Sequence, residues 1–212
     1  MPKKFIGGKG TRARIAASAA VSVLALAVLT GCSTAPAPVA QPEPTVVAAE
    51  RTGEFLAELG LAGLDARAAI DRLDRVPVAQ RPSDFTASVQ PAQLVLTDAS
   101  GRTAGLPMPE DEYYLSAAPY VSQTHSCHFH SLTTCLGELA GKEIQVKATN
   151  ADTGEVLVEK SAKTFDNGFL GLWVPRGINV DLEFGYEGKT ATTTVSTAGS
   201  ANATCLTELP LV

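Results

Sequence analysis

The chain has 212 residues, and its 22 acidic side chains outnumber the 17 basic ones, which gives a formal net charge of −5. This excess of acid argues against a nucleic-acid partner, because phosphate binding depends on clustered lysine and arginine. The residues from about 48 onward suffice for one domain or two small ones, and such a domain can bury a core without depending on disulfides.

Residues 1–31 predict a lipoprotein signal peptide. A basic start is followed by an apolar stretch over residues 15–29, which is shorter than the roughly 20 residues that span a bilayer. The stretch ends in Leu29-Thr30-Gly31-Cys32, which resembles the bacterial lipobox, whose cysteine is lipidated and becomes the new N-terminus. The alternative is ordinary signal cleavage with Cys32 incidental. Cleavage removes five basic residues and no acidic one, so the formal charge of −5 becomes −10.

Residues 32–50 predict an extended tether, because four prolines lie between Ser33 and Pro44. No second apolar run of spanning length follows it. We therefore expect an extracytoplasmic protein, in the periplasm or on the outer face of the bacterial cell membrane, whose only membrane contact is the lipid anchor.

Residues 51–141 predict an α+β portion. Two short amphipathic helices are expected between residues 52 and 80, the first ending at Gly60 and the second capped by Asp65 and stopped by Pro77. Residues 93–97 predict a strand, residues 98–101 a turn, and a further extended piece runs toward Leu106. Residues 113–121 are expected to be extended, and residues 131–139 have helical spacing.

Residues 142–212 are β in character throughout. Alternating apolar and polar residues predict strands near 143–148, 155–159, 168–174, 178–184 and 189–195, separated by turns that contain glycine. Together they predict an antiparallel β-sandwich, weakly similar to prealbumin-like modules, with Trp173 and Phe184 in its core. The expected fold class is therefore α+β, and a last strand would carry Cys205.

Residues 125–135 contain all three histidines and two of the four cysteines. Thiolate and imidazole bind soft and borderline metals, so the chemistry of the chain is expected here. Cys127 and Cys135 would lie about 12 Å apart in a continuous helix, whereas a disulfide or a shared metal needs them much closer. We therefore expect a loop that enters a helix near His130 or Ser131, where the helix dipole would favour thiolate.

Cys127, Cys135 and Cys205 remain once Cys32 is lipidated, and Cys205 can join the other two only through tertiary structure. Three thiolates with an imidazole would select copper(I) or zinc over hard cations, and zinc fits less well because no Cys-x-x-Cys pair is present. The alternative is one structural disulfide, Cys135–Cys205 or Cys127–Cys205, with the histidines on the surface.

One stretch resembles the signature of the CueP family of periplasmic copper-resistance proteins: Pro119-Tyr-Val-Ser-Gln-Thr-His-Ser-Cys-His-Phe-His-Ser-Leu-Thr-Thr-Cys-Leu-Gly-Glu-Leu139. The likeness continues through Lys142-Glu-Ile-Gln-Val and Phe165-Asp-Asn-Gly-Phe to the third cysteine, over roughly residues 50–210. It implies copper binding through Cys127, Cys135 and Cys205 with a histidine nearby. His130 lies in the best-matching part of the motif, His125 is the next candidate, and His128 is a candidate for a solvated loop residue.

The interpretation is a lipid-anchored protein that sequesters or delivers copper(I) and supports copper resistance, with a secreted copper enzyme or a copper exporter as possible partners. One alternative is a thiol-dependent cupric reductase, in which Cys127, Cys135 and Cys205 would cycle between dithiol and disulfide. Another is a non-catalytic surface sandwich with one structural disulfide. Whether the protein is an enzyme therefore stays open at this point.

Overall fold

Residues 44–212 are described by the structure, a computed structural model, with side chains from residue 51 onward. The predicted signal peptide, Cys32 and most of the predicted tether lie outside the described residues. Helix α1 spans Pro44–Glu58 and so includes residues 44–50, which the sequence assigned to the tether. In the described part of the chain, no helix has both the length and the apolar character needed to cross a bilayer.

Two short helices precede the strands, as predicted. Helix α2 spans Ala66–Leu73, and the side chain of Asp65 caps it by accepting a hydrogen bond from the backbone N–H of Ala68 at 2.8 Å. Gly60, at a φ of 70°, follows α1 in the left-handed conformation that commonly ends a helix. The buried face of α2 is apolar: Ala66, Ala69, Ile70 and Leu73.

Eleven strands form three sheets within residues 44–212. Their bounds are Phe85–Val89 (β1), Gln93–Asp98 (β2), Thr103–Pro107 (β3), Glu112–Ala117 (β4), His130–Ser131 (β5), Glu143–Asn150 (β6), Val156–Lys163 (β7), Leu170–Pro175 (β8), Asn179–Tyr186 (β9), Lys189–Ser196 (β10) and Cys205–Leu206 (β11). The sheet orders are β3-β2-β1-β5, β10-β9-β6-β7 and β11-β4-β8. All pairs are antiparallel except β11 with β4. The predicted α+β class is confirmed in part: the fold is mostly β, with two short helices at the start of the described residues.

The first sheet packs against the two helices around one apolar core. In β2, Leu94 and Leu96 are fully buried and alternate with more exposed neighbours. Strand β1 lies between β2 and β5, and neither β1 nor β5 was predicted from the sequence. Trp173, expected in the sandwich core, instead packs against this first core and is only partly buried.

The second four-stranded sheet, β10-β9-β6-β7, is called here the C-terminal sheet, and it contributes to a separate core. Its strands β6 and β9 bury every second residue, including Ile144, Leu182 and Phe184 at 0–1% exposure. The strands predicted in this region are confirmed, as is the burial of Phe184. The likeness to prealbumin stays a prediction.

The third sheet joins the two predicted portions, because β4 pairs with β8 on one side and with β11 on the other. The division at residue 141 stays a prediction about organisation, since this sheet continues across it. The parallel pairing of β11 with β4 places Cys205 opposite Ser116. This is the tertiary connection that brings the third thiol toward the other two.

The helix predicted for residues 131–139 is wrong. Ser131 belongs to β5, the backbone N–H of Leu132 donates to Ala87, and that of Gly137 donates to Asn167. The helical spacing of buried residues arises for another reason: Leu132, Cys135 and Leu139 are each buried in a different apolar cluster. A sequence period alone does not distinguish one helical face from three separate anchoring points.

Candidate metal centre

Residues 125–135, the cysteine segment, fold back through a single tight turn. The backbone N–H of Cys135 donates to the carbonyl of Ser131 at 3.1 Å, and the N–H of Ser131 donates to Cys135 Sγ at 3.3 Å. The two sulfurs, Cys127 Sγ and Cys135 Sγ, consequently lie 3.5 Å apart. The expected fold-back occurs, but no helix begins at His130 or Ser131, so a helix dipole cannot be what favours thiolate here.

Cys205 reaches the cluster through backbone hydrogen bonds to the cysteine segment. The N–H groups of Thr204 and Cys205 both donate to the carbonyl of His128, at 3.0 and 3.1 Å. Cys205 Sγ then lies 3.8 Å from His130 Nδ1. The three described cysteines are free thiols in this structure, and none of them is joined in the disulfide considered from the sequence.

Two groups of three ligand atoms result, and they share Cys135. In the outer group, His125 is exposed, Cys127 is half-buried and Cys135 is buried; in the inner group, His130, Cys135 and Cys205 are all buried. Within each group the ligand atoms lie within 4.8 Å of one another. His128 belongs to neither group: it is exposed, and its Nε2 lies 2.9 Å from the carbonyl oxygen of Ala201.

His130 is held by a buried carboxylate. His130 Nε2 lies 3.2 Å from Asp74 Oδ1, and the two side chains are 0% and 1% exposed. The hydroxyl of Tyr114 donates to the other oxygen of Asp74, and Asn167 Nδ2 donates to Oδ1 at 3.1 Å. With Nε2–H donating to Asp74, Nδ1 is the ring nitrogen that faces Cys205.

A sequence profile described as "Periplasmic copper-binding protein CueP" matches residues 68–210, which include the cysteine segment, Asp74 and Cys205. This chain belongs to the CueP family. A solved structure, "Crystal Structure of S.CueP", matches with 40% sequence identity and a TM-score of 0.67, covering 75% of this chain and 97% of that one. A search of curated proteins finds no match.

In this CueP chain, Asp74 is the site residue that sequence reasoning missed. It lies four residues after Ile70, on the buried side of α2, where a carboxylate is unexpected unless it has a partner. An acidic residue at this position can be recognised from the sequence, and it indicates a buried partner. Asn167 was part of the stretch Phe165-Asp-Asn-Gly-Phe that carried the family resemblance, but no role could be given to it from sequence.

The proton equilibria of the cluster favour one thiolate. Hydrogen bonds from Cys127 and Cys205 lower the pKa of Cys135, and the nearby His130 lowers it further. The same contact with Cys135 raises the pKa of Cys127 to about 11, and contacts with the other two thiols raise the pKa of Cys205. Cys135, the residue common to both groups, is therefore the thiol that most readily carries negative charge.

His130 favours the protonated form in the metal-free cluster. Burial lowers its pKa, but the hydrogen bond to Asp74 and the contact with Cys135 outweigh burial and raise the pKa to about 9. Burial also disfavours the charged form of Asp74 and so raises its pKa, but the hydrogen bond with His130 and the charge of that ring outweigh burial and lower the pKa of Asp74 overall. His130 and Cys135 thus form a buried pair of opposite charge. A cation bound to both residues would replace the proton on His130.

Arg81 adds positive charge beside Cys135. Its Nη1 donates to the carbonyl of Cys135 at 2.8 Å, while its buried Nε and Nη2 have no hydrogen-bond partner. Burial lowers the pKa of Arg81, and the charges of Asp74 and Cys135 oppose that shift. The guanidinium is a fixed counter-charge for thiolates in the cluster.

The segment that leads into the cluster is held by its own contacts. A carboxylate oxygen of Glu138 accepts from the N–H groups of Val121 and Ser122 at 2.7 and 2.9 Å, and the hydroxyl of Thr124 donates to Thr207 at 2.6 Å. A close approach of Gly137 to Gly168, which has a φ of 79°, leaves no room for a side chain on either residue. These contacts place Phe169 against the thiols.

Proposed function

We propose that this protein binds copper(I) outside the cytoplasm and sequesters or delivers it, using Cys127, Cys135, Cys205 and a neighbouring histidine. The observation that carries the proposal is the convergence of three free thiols and two imidazoles, from positions up to eighty residues apart, into two overlapping groups of ligand atoms. Membership of a family described as periplasmic copper-binding proteins supports the same function.

The donor set favours copper(I) over other metals. Soft thiolates select copper(I) and zinc, and copper(I) accepts two or three ligands, whereas structural zinc sites have four. Each group here offers three ligands, two thiols and one imidazole, and the chain contains no Cys-x-x-Cys pair. The cluster is lined by Ala118 and Phe169, and such apolar walls keep water from competing for the ion.

His130 is the proposed histidine ligand at the buried end, since its Nδ1 faces Cys205 and its Nε2 is bound to Asp74. A histidine whose second nitrogen donates to a carboxylate is the usual arrangement at metal sites, because the carboxylate fixes the tautomer and the ring orientation. His125 is the proposed histidine ligand at the exposed end.

A lipid on Cys32 would hold this copper site at the outer face of the cytoplasmic membrane. The support is the Leu-Thr-Gly-Cys sequence at the end of the apolar stretch, which lies outside the described residues. Copper would then pass to a partner that can reach the membrane surface, such as a secreted copper enzyme or a copper exporter. Mass spectrometry of the membrane fraction should find a lipid on Cys32, and Cys32→Ala should release the protein in soluble form.

Anaerobic titration of the reduced protein with copper(I), against a chromophoric chelator, tests the proposal. We expect tight binding of copper, a complete loss of it when all three cysteines are replaced by serine, and the largest single loss with Cys135→Ser. His128→Asn, a change at an exposed histidine outside both groups, serves as the control. Reduced wild-type protein that binds no copper(I) in competition with the chelator would contradict the proposal.

A second candidate function rests on the 3.5 Å contact between Cys127 Sγ and Cys135 Sγ. Two thiols this close can form a disulfide, and the two electrons released would reduce two copper(II) ions to copper(I) with the loss of two protons. Catalytic reduction of copper(II) in the presence of excess small-molecule thiol would support a reductase. Reduction that stops after the protein thiols are consumed would assign the protein to storage or delivery.

A further inference from the structure

The outer and inner groups differ most in their access to solvent. His125 is exposed and Cys127 half-buried, whereas His130 and Cys205 are 0% and 3% exposed. An ion that arrives from solvent, or from a donor protein, can therefore meet the outer group first. Cys135, which belongs to both groups, is itself only 8% exposed.

One ion cannot use all five ligands in this arrangement. The ligand atoms fall into two separate groups of three, and His125 and His130 are never in the same group. Both imidazoles pack against the ring of Phe169, with centroid distances of 6.2 Å for His125 and 4.7 Å for His130. The buried Phe169 is thus a neighbour of both histidines. His125 is grouped with Cys127 and Cys135, and His130 is grouped with Cys135 and Cys205.

We propose that copper(I) binds first to the outer group and then moves to the inner group, with Cys135 as a ligand in both. This inference rests on the copper-binding function proposed above and assigns different tasks to the two histidines. His125 serves loading and release, and His130 serves retention.

The transfer is a ligand exchange without a change in oxidation state. The bond from copper to Cys135 Sγ is kept, the bonds to His125 and Cys127 break, and bonds to Cys205 Sγ and His130 Nδ1 form. The proton that leaves the Cys205 thiol balances the proton that the released Cys127 thiolate takes up, and the proton that His130 Nδ1 carries in the metal-free cluster is released to solvent. Since the ligand atoms of Cys205 and His130 lie within 4.8 Å of Cys135 Sγ, copper bound to Cys135 needs only a short displacement to reach them.

A double-mutant cycle on copper(I) affinity tests this sequence of sites. In the wild-type background, His125→Asn should change the equilibrium affinity by less than about threefold, because copper rests in the inner group. In the Cys205→Ser background, copper rests in the outer group, so the same His125→Asn change should lower the affinity by about tenfold or more, a coupling within the range measured for residues of one network. His128→Asn should have no effect in either background.

Loading kinetics supply an independent measurement that uses only the exposed substitution. Transfer of copper(I) from the chelator to His125→Asn should be at least several-fold slower than transfer to wild type or to His128→Asn, with the same final occupancy. The loading rate tests whether copper enters through His125 even if Cys205→Ser does not fold. His130→Gln is a second variant that disables the inner group and should also make His125 important for affinity.

Two results would overturn the inference. One is an equal effect of His125→Asn on affinity in the wild-type and Cys205→Ser backgrounds, which indicates a single site. The other is an unchanged loading rate in His125→Asn. Both differ from failure of the proposed function itself, in which the wild-type protein binds no copper(I) at all.

Discussion

The C-terminal sheet and the cysteine segment are held together by different forces. The sheet buries alternate apolar side chains, and its long strands pair in register over as many as eight residues. The cysteine segment has only the two-residue strand β5 and depends on contacts with buried polar groups such as Asp74 and Thr204. Apolar burial stabilises a fold directly, whereas buried polar groups stabilise it only when each is paired. The molecule thus places its chemistry where a single lost partner is costly.

The largest effect that separates the two regions should come from Phe184→Ala in the C-terminal sheet. Phe184 is 0% exposed, and removing a buried phenyl ring costs about 3–5 kcal/mol of unfolding free energy. Copper(I) affinity, measured well below the unfolding temperature, should stay within about twofold of wild type, because Phe184 and the ligand cysteines belong to different apolar clusters. A large loss of affinity in the folded variant would mean that the sheet and the metal centre are coupled.

Asp74→Ala should damage both stability and copper binding. It leaves His130, Tyr114 and Asn167 without their common acceptor, and breaking a buried charged pair costs about 3 kcal/mol or more. Loss of the carboxylate that orients a metal-binding histidine typically lowers metal affinity about 10–100-fold.

Asp71→Ala is the matched control for that experiment. Asp71 lies on the same helix and accepts one hydrogen bond from Trp173 Nε1 at 3.0 Å, but it does not contact the ligand groups. It should cost only about 1 kcal/mol and leave copper affinity unchanged. Equal effects of the two substitutions on copper affinity would refute the role assigned to Asp74.

The pH dependence of stability should reveal His130 in the metal-free protein. Its pKa is raised to about 9 in the fold, so protonation of the ring stabilises the native state fully below its unfolded pKa near 6.5, and this contribution is lost as the pH rises through 9. We expect the difference in unfolding free energy between wild type and His130→Gln to shrink over that interval. Comparing the two chains removes most of the opposing contribution of Cys135, whose pKa is lowered. A difference that is constant from pH 6 to 9.5 would contradict the His130–Asp74 pairing.

The smallest effect should come from the first helical turn of α2. Asp65→Ala removes the cap on the N–H of Ala68, which typically costs about 1 kcal/mol of unfolding free energy. Copper affinity should stay unchanged, because Asp74 lies at the other end of the same helix and is held there by its own buried contacts, not by the N-terminal cap. Urea unfolding and copper titration of the same sample measure both quantities.

The same difference between the regions explains what could be predicted from the sequence. The alternation in β6 and β9, and Asp65 before an apolar helical face, are local patterns with local causes. The concentration of histidine and cysteine identified the segment that carries the chemistry. The conformation of that segment could not be predicted, because β1, β11 and residues 165–169 determine it from distant parts of the chain.

Asp74 illustrates the same limit at the level of one residue. Its position after Ile70 on the buried side of α2 was visible in the sequence, but its partner His130 lies 56 residues away. No pattern in the sequence connects a helix C-terminus with a histidine in a separate loop. The structure supplies the pairing, and with it the reason that His130 presents Nδ1 to the thiols.

X-ray absorption at the copper edge of the anaerobically loaded protein reports the oxidation state of the metal and its ligand atoms. We expect copper(I) with three ligands, among them sulfur and one imidazole nitrogen, and we expect Cys135→Ser to lose sulfur from this set. A set of nitrogen and oxygen alone, or a set unchanged in Cys135→Ser, would contradict this prediction.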